Sequence, residues 1–533
     1  MSPFKSGLVV SANALASRAG ARVLKKGGNA VDAALTTAHM LGVAAPAFSG
    51  IGGGGFALIW LAREEKTIFV DFRERAPLAA REEMFNLTPT GKVLREENAI
   101  GYKSVAVPGT ISGHASVLEK YGTMHLADTL EPATRTARRG CRVGRAQAYA
   151  WQQSAKKLAR FKESGSTYLK RGRPYREGDM FTLPKLAKSL TAVAHEGAEE
   201  FYRGPLGRKI TDDMTLKGGL MTGRDFEDYE PTVREPLHGS YRDYEIVTAP
   251  PPSCGGAMIL ESLNMLEELP PGGYRTSPSE RLHLLAEVLA RASMSCRPTI
   301  SDPDFANAPV EKLLSKSFAK ELAASVSPNT SSITSLAEHF PSMPASNTTH
   351  LVAVDDERNV VSLTESVECY FGSGVTVPET GIILNDTMHD FEPRRDMPNS
   401  VAPGKIPMSS MSPTIVFKEG VPILVLGSAG GPRIVSSTLQ VLLNVIEFGL
   451  NLEDAVAAPR IHVNGSRVEL EENVGHNVAR RLKGMGHSIK VKKQAGPRDP
   501  GLYFGGVQAA QLSDDKWLGG AADPRRDGLA AGL

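Results

Sequence analysis

Pairs of short apolar strands joined by tight polar turns are the feature that most constrains the fold of this chain. HLVAV and VVSLTES, at residues 350–354 and 360–366, flank the polar run DDERN, and TIVF and PILVL flank a second turn at 418–421. A long apolar helix is predicted over 433–448. Because strands and helices of this kind must cover one another's apolar faces, the pattern predicts two stacked sheets with helices on both outer faces.

The part of the chain before these strands is rich in helix signals. Asn29 and Asp32 can cap a helix over VDAALTTAHML, and FALIWL and IFVDF are nearby strand candidates. Most of 118–217 and of 277–327 is predicted to be helical. Residues 325–347 are poor in apolar side chains and rich in Ser, Thr, Pro and Asn, which predicts an exposed linker.

The charge balance excludes two classes of protein. The chain has 61 Lys and Arg against 59 Asp and Glu, a formal net charge of +2, so neither a polybasic nucleic-acid binder nor an acidic solvating tail is expected. Its 533 residues suggest two to four domains. The cysteines are far apart, which disfavours a zinc knuckle or a disulfide framework and predicts reduced structural thiols at Cys141, Cys254, Cys296 and Cys369.

The most apolar stretch, residues 43–62, contains Pro46 and five glycines and therefore cannot form a membrane helix. The first residues lack a basic region followed by an apolar core, so a cytoplasmic protein is expected, although removal of a leader would leave the same sequence. The run Gly52 to Gly55 precedes a strand-like segment and no P-loop lysine follows it. It therefore favours close backbone packing over phosphate binding.

The junction Asn347-Thr348-Thr349-His350 allows two interpretations. Threonines before a strand are ordinary β-forming sequence. Alternatively, a threonine at a new chain end becomes a nucleophile whose own α-amine is the base. That second interpretation requires a cut between Asn347 and Thr348, which the Thr348 hydroxyl can make by attacking the preceding carbonyl.

Motifs along nearly the whole chain resemble the γ-glutamyltranspeptidase family of self-cleaving N-terminal-nucleophile hydrolases. They occur in the family's order, namely GGNAVDAAL, SGIGGGGFALIW, DFRERAP, VAVPGT, GAEEFYRG, APPPSCGGAMILESLN, SDPDF, NTTHLVAVDDERNVVSLTES, FGSGVTVPETGIILND, PMSSMSPTIV and GSAGGPRI. The resemblance implies an α+β fold, a four-layer αββα sandwich of two mainly antiparallel sheets. It also implies a large subunit, 1–347, and a small subunit, 348–533, which together form one intertwined catalytic domain.

The resemblance also assigns the reacting groups. Thr348 resembles the family nucleophile, and Ser366 stands where the family usually has a threonine that hydrogen-bonds to it. Gly430 and Gly431 are similar to the glycines whose N–H groups form the oxyanion hole. Without the resemblance, Ser366 would be an ordinary strand residue and the glycine pair a plain turn.

Five further residues match the family's substrate-binding positions. Arg73 is similar to the arginine that binds the α-carboxylate of the substrate, for which a planar guanidinium is well suited. Ser409 and Ser410 match serines that hydrogen-bond to the same group. Glu368 and Asp390 fall where family members accept the α-ammonium. Without the resemblance, Arg73 would be interpreted as a surface charge. Ser409 and Ser410 would be interpreted as turn residues, and Glu368 and Asp390 as solvated acids.

The chain also departs from the family pattern. Thr387 replaces a Gln or Glu that contacts the ammonium, and His389 replaces an acid, so γ-glutamyl specificity is open to question. The span from Asp390 to Ser409 is short where many members have a lid, which predicts a more open cleft. Cys296 replaces an Asp before Arg297 and is interpreted as structural.

The resulting expectation is an autoprocessed enzyme that transfers the γ-glutamyl group of glutathione or a related compound to water or to an amino acid or peptide. No metal, organic cofactor, nucleic acid or membrane is implied. A related acylase or small-amide hydrolase is the nearer alternative. An unprocessed, non-catalytic binding protein is the distant one.

Overall fold

The computed structural model describes residues 4–269, 277–336, 347–493, 499–513 and 517–533. Its strands, numbered in chain order, are β1 (Leu8–Ser11), β2 (Gly54–Leu61), β3 (Lys66–Asp71), β4 (Cys141–Arg142), β5 (Met180–Phe181), β6 (Thr232–Arg234), β7 (Leu237–Tyr241), β8 (Tyr244–Thr248), β9 (Thr349–Val354), β10 (Val360–Ser366), β11 (Thr414–Lys418), β12 (Val421–Ala429), β13 (Ile461–Asn464), β14 (Arg467–Glu471), β15 (Ser488–Lys492), β16 (Gly506–Leu512), β17 (Leu518–Ala522) and β18 (Leu529–Gly532).

The α-helices of the described residues include several short ones as well as long packed ones. They are α1 (Ala14–Lys25), α2 (Ala30–Ala44), α3 (Thr110–Tyr121), α4 (Leu126–Arg139), α5 (Arg145–Leu158), α6 (Lys162–Tyr168), α7 (Pro184–Glu196), α8 (Ala198–Tyr202), α9 (Pro205–Leu216), α10 (Gly223–Glu227), α11 (Cys254–Glu268), α12 (Pro278–Cys296), α13 (Val310–Leu314), α14 (Lys316–Ala324), α15 (Ile333–Leu336), α16 (Arg433–Ile446), α17 (Leu452–Ala457) and α18 (His476–Gly484). None of the described helices combines the length and the apolar character needed to cross a membrane.

Two large sheets form the centre of the fold. The seven-stranded sheet has the order β18-β1-β9-β10-β2-β3-β6, and the six-stranded sheet has the order β17-β16-β12-β11-β8-β7. Neighbouring strands in both sheets run antiparallel. A smaller sheet, β13-β14-β15, includes one parallel pair.

Alternating side chains place each sheet between two apolar layers. In β9, Val352 packs between the two sheets, whereas Leu351 and Ala353 face the cluster that contains helix α2. In β11, Ile415 packs between the sheets and Val416 packs with α11 and α16 on the other side. Helices therefore cover both outer faces, and the predicted four-layer αββα sandwich is confirmed.

Both sheets contain strands from either side of the Asn347–Thr348 bond. In the seven-stranded sheet, β9 pairs with β1 and β10 pairs with β2. In the six-stranded sheet, β11 pairs with β8. Residues before and after the bond are therefore interleaved in one hydrogen-bonded structure.

The local predictions are confirmed where the signal lies within one segment. Asn29 caps α2, and a reciprocal bond from the Asn29 N–H to the Asp32 carboxylate, 2.9 Å, completes a capping box. The two predicted hairpins are β9–β10 and β11–β12. The predicted helix over 433–448 is α16.

The prediction of an exposed linker over 325–347 agrees with the exposed residues 325, 328–330 and 334–335, but not with Ile333 and the two serines before it. Ile333 is 1% exposed and begins the short helix α15. The hydroxyls of Ser331 and Ser332 donate to the buried carboxylate of Glu287, at 2.8 and 2.5 Å. The serines that made this stretch look solvated instead satisfy a buried charge. Residues 337–346 lie outside the described residues.

The glycine run at 52–55 is needed for close backbone packing, as predicted. A Cβ on Gly53 would lie 2.0 Å from the carbonyl oxygen of Ser366, and one on Gly52 would lie 2.2 Å from that of Ile383. Real side chains do not make such contacts, so the strand that carries Ser366 can lie where it does only because residue 53 has no Cβ.

We expect Gly53→Ala to lower the free energy of unfolding by about 1–3 kcal/mol, because the added methyl group must displace the backbone at Ser366. Gly484→Ala is the matched control. Gly484 lies in α18 with nothing within 4 Å of the added carbon, so the control should be neutral or slightly stabilising. Denaturant unfolding of both variants tests this, and equal stability of the two would contradict the packing argument.

Candidate active site

Thr348 lies directly before β9 in the continuous chain and is almost completely buried. Its exposed fraction is 2%, and that of Asn347 is 8%. Thr349 is paired with Glu365 of β10, which brings Ser366 to the same end of the strand pair as Thr348. The strand pairing therefore places the predicted nucleophile beside its predicted partner.

Ser366 contacts the bond that would be cut. Its hydroxyl donates to the carbonyl oxygen of Asn347 at 2.7 Å and accepts from the backbone N–H of Glu368 at 2.8 Å. The N–H of Asn347 in turn donates to the carbonyl of Glu368 at 2.7 Å. In the uncut chain the Ser366 hydroxyl thus polarises the carbonyl that Thr348 would attack. Its expected bond to the nucleophile stays a prediction for the cleaved protein.

Gly430 and Gly431 connect β12 to α16. Their φ angles are +121° and +56°, which a residue with a side chain rarely adopts. Because α16 begins at Arg433, the pair lies at the positive end of a 14-residue helix. That position suits groups that stabilise a developing negative oxygen, the role predicted for the pair.

A cleft brings most of the predicted residues together. We call it the Thr348 cleft. It is lined by Cys254, Arg297, Thr348, Glu368, Asp390, Met408, Ser409, Ser410, Met411, Gly431, Pro432 and Ile434. Four of the predicted site residues, namely Arg73, Asn347, Ser366 and Gly430, lie outside this lining.

The short span from Asp390 to Ser409 does not leave the site open in the uncut chain. Glu368 is 4% exposed and Ser409 is 6% exposed, and Thr348 is as buried as a core residue. Met408 and Met411 from the end of the span line the cleft themselves. The expected open cleft is therefore absent before cleavage.

Arg73 is buried behind Asp390. Its Nε donates to the carbonyl of Pro407 at 3.0 Å, and its Nη2 donates to the carbonyl of Met408 at 3.3 Å and to the Asp390 carboxylate. The groups predicted to bind the α-carboxylate and the α-ammonium are thus paired with each other. A substrate that uses both must exchange this ion pair for its own two charges.

Buried acids surround this pair. Burial and the neighbouring Asp390 carboxylate raise the pKa of the Glu368 carboxyl well above its ordinary value, and Arg73 only partly opposes them. Burial likewise raises the pKa of Glu74 to about 7 despite Arg73 beside it. The neutral form of Glu368 is therefore stabilised relative to that of an exposed carboxyl group.

Ser409 and Ser410 are held by the segment that starts α11. The N–H of Cys254 donates to the carbonyl of Ser409 at 2.8 Å, and the N–H of Ser409 donates to the carbonyl of Pro252 at 3.0 Å. The Ser409 hydroxyl accepts from the N–H of Met411 at 3.1 Å. Both serines line the cleft as predicted.

The two departures near Asp390 have different positions. Thr387 is fully buried beside Glu74 and does not line the cleft. His389 is half-buried, and one of its ring nitrogens lies within 4.8 Å of carboxylate oxygens of Glu368 and Asp390. Of the two, His389 is therefore the one that faces the predicted ammonium site.

Two groups of described side chains have the donor atoms for a metal ion, namely Glu368 with His389 and Asp390, and His283 with Glu287 and His487. In each group a carboxylate already pairs with a cation, Asp390 with Arg73 and Glu287 with Arg291. These arginines reduce the negative charge that would attract a divalent cation. The predicted absence of a metal or cofactor stays a prediction.

A second cavity adjoins the first. It is lined by Asn347 and Gly430, whereas Thr348 and Gly431 line the Thr348 cleft. Arg433 and Tyr503 also face it, with the guanidinium carbon 4.2 Å from the ring centre. The scissile peptide and the glycine pair therefore separate the two cavities.

Sequence reasoning missed two residues of the cleft. Arg297 follows α12 and Cys254 begins α11, and neither was assigned a role. The only available signal was that both lie in or beside family motifs. Cys296 is a buried thiol, as expected, and donates to a Glu261 oxygen at 3.2 Å. Cys141, Cys254, Cys296 and Cys369, all of them described residues, form no disulfide with one another.

Comparison with known proteins gives a consistent result. The family model described as "Gamma-glutamyltranspeptidase" matches residues 16–533. The chain is 36% identical over 552 residues to a glutathione hydrolase proenzyme of Pseudomonas sp. (strain A14), covering 99% of this chain and 94% of that protein. It is 37% identical over 532 residues to the acylase ACY 1 proenzyme of Pseudomonas sp. (strain V22), covering 99% and 93%.

Among solved structures, the cephalosporin acylase of Bacillus halodurans is similar over the whole chain. The TM-score is 0.88 at 29% identity, covering 100% of this chain and 96% of that one. The likeness agrees with the stacked sheets and the outer helices described above.

We expect Ser366→Ala to slow cleavage of the Asn347–Thr348 bond by about 100-fold or more, because the carbonyl loses the donor that would stabilise its negative charge. Ser366→Thr keeps the hydroxyl and should cleave at a rate close to that of the wild type. The loss of the full-length band with time, followed on denaturing gels, measures both. Cleavage of Ser366→Ala at the wild-type rate would remove this role from Ser366.

Proposed function

The chain belongs to the gamma-glutamyltranspeptidase family, and from this premise we propose that it is an autoprocessed γ-glutamyl hydrolase and transferase. The proposed donor is glutathione or a related γ-glutamyl compound, and the acceptor is water or an amino acid or peptide. The observation that carries the proposal is the meeting of Thr348, Gly431, Ser409, Glu368 and Asp390 in one cleft. A nucleophile, an oxyanion site and groups of both charges are the parts that this reaction requires.

Self-cleavage comes first in the proposed mechanism. The Thr348 Oγ attacks the Asn347 carbonyl carbon, whose oxygen already accepts from Ser366 at 2.7 Å. The peptide C–N bond breaks, the nitrogen takes a proton, and an ester joins Asn347 to the Thr348 oxygen. Water then hydrolyses that ester, which leaves a carboxylate on Asn347 and a primary amine on Thr348.

The mature Thr348 then acts on the donor. As its Oγ attacks the γ-carbonyl, its own amine takes the hydroxyl proton and passes it to the leaving amine. The N–H groups at Gly430 and Gly431 stabilise the oxyanion, with the positive end of α16 behind them. Water or an acceptor amine then attacks the γ-glutamyl ester and releases Thr348.

The two pieces are expected to stay together as one catalytic domain. Strands from both sides of the cut pair in both sheets, for example β9 with β1 and β11 with β8. The core between the sheets likewise contains residues of both pieces. Cutting one bond removes none of these contacts.

We expect purified protein to give two bands, of about 37 and 20 kDa, which are the shares of the 57.1 kDa chain held by residues 1–347 and 348–533. N-terminal sequencing of the smaller band should begin at Thr348. Thr348→Ala should give one full-length band without glutathione hydrolysis, whereas Thr348→Ser keeps a hydroxyl and should still cleave. An uncut wild-type protein that hydrolyses glutathione would refute the proposal, as would two bands from Thr348→Ala.

An acylase is the second candidate function, and His389 favours it. The histidine lies beside Glu368 and Asp390 in place of an acid, which leaves fewer carboxylates for an α-ammonium group. With Glu368 neutral, the site also suits an acyl group that carries a carboxylate without an amine. The acylase relative and the acylase structure reported above agree with this candidate.

The pH dependence of donor choice should separate the two functions. Because burial raises the pKa of Glu368, its carboxylate forms as the pH rises, and only a donor with an α-ammonium gains from that charge. We therefore expect the ratio of kcat/KM for γ-glutamyl-4-nitroanilide to that for glutaryl-4-nitroanilide to increase with pH.

Glu368→Gln is the matched variant for this measurement. It cannot ionise, so the ratio should be lower and should no longer depend on pH. Changes in the nucleophile affect both donors and cancel in the ratio. A wild-type ratio that stays below one and is flat with pH would favour the acylase.

A further inference from the structure

Arg297 is a cation in the wall of the Thr348 cleft that the mechanism above does not use. Its Nε is buried and has no hydrogen-bond partner within the described part of the chain. The groups that act on its charge are Cys254, Arg433 and Cys296, and no carboxylate is among them. An arginine without a counter-charge in a cavity wall is unusual and indicates a place for an anion.

Arg73 differs from Arg297 in this respect. Its guanidinium is already engaged by the Asp390 carboxylate and by the carbonyls of Pro407 and Met408. It also does not line the cleft. Of the two arginines, Arg297 is the one that reaches the cavity.

The two arginines have different charged neighbours. Arg73 is surrounded by Asp390, Glu74 and Glu368, the acidic end. Burial lowers the pKa of Arg297 and the positive charge of Arg433 lowers it further, so the two side chains lie near each other. Arg433 is in the first turn of α16, just beyond Gly431. We therefore place the amine portion of a donor, whose acyl end lies at the acids and whose carbonyl lies at Gly431, on the side of Arg297.

We propose that Arg297 binds a carboxylate on the amine portion of the donor, or on the acceptor that takes its place. This inference rests on the proposed function and adds the class of leaving group: γ-glutamyl peptides, which end in a carboxylate, rather than γ-glutamyl amines without one. The planar guanidinium can give a carboxylate two parallel hydrogen bonds. Arg297 is thus a specificity-determining residue.

Two chromogenic donors that differ in a single group test the proposal. γ-Glutamyl-3-carboxy-4-nitroanilide carries a carboxylate on its leaving group, and γ-glutamyl-4-nitroanilide does not. In Arg297→Met we expect kcat/KM to fall about 10- to 100-fold more for the carboxylated donor, the loss typical of a charge-assisted hydrogen bond. Arg297→Lys keeps a cation and should restore part of the preference.

Arg394→Met is the matched control. Arg394 is an exposed arginine paired with Glu392, outside the cleft, and its replacement should leave the preference unchanged. Glutathione and its glycine ethyl ester provide a second pair of donors, for which the same loss of preference is expected in Arg297→Met.

Equal losses for both members of a pair in Arg297→Met would overturn the inference, because a structural role or a contact with the acyl end affects both donors alike. No loss for either would also overturn it. In both cases the proposed function would stand, since the wild type still hydrolyses γ-glutamyl donors. A wild type that cleaves neither donor would refute the proposed function itself.

Discussion

The antiparallel pairing of β9 with β10 fixes where Thr348 lies, and the rest of the site is arranged around it. Thr349 stands opposite Glu365, so Thr348 and Ser366 meet at the same end of the strand pair. β10 also pairs with β2, and only a glycine at residue 53, directly before β2, allows the backbone of Ser366 to approach so closely. The position of the predicted nucleophile is thus a property of the sheet rather than of a loop, which favours the precise geometry that catalysis needs.

Charge is the second constraint, because Arg73, Glu74 and Glu368 at the acidic end of the cleft are almost completely buried. Arg73 and Asp390 neutralise each other there, and Glu368 avoids a buried charge through its raised pKa. Under the proposed function this state prepares the site for a zwitterion. A ligand with one carboxylate and one ammonium can replace the internal pair with two pairs of its own, so the site never has to hold an uncompensated charge.

A feature of this structure can be predicted from the sequence when residues close together in the chain determine it. Features that depend on contacts between distant segments cannot be predicted in this way. The capping box at Asn29 and the hairpin β9–β10 arise within one segment, and pattern alone predicts them. The role of Ser366 in the uncut chain was missed, because the predicted partner was the nucleophile and the observed partner is the Asn347 carbonyl. Arg297 was also missed, because only the folded structure shows that the end of α12 lies in the wall of the Thr348 cleft. Spacing along a chain does not contain that information.

The place of the proposed cut is also consistent with the sheet. β9 begins at Thr349, so the Asn347–Thr348 bond lies just before the first residue of that strand and outside its ladder to β1 and β10. Breaking it removes no inter-strand hydrogen bond of β9, and both neighbouring strands continue to hold the new chain end. A cut inside β9 would instead release the nucleophile from its partners. The boundary of the strand is therefore the position at which a chain can gain a terminal amine and keep that amine in a fixed position.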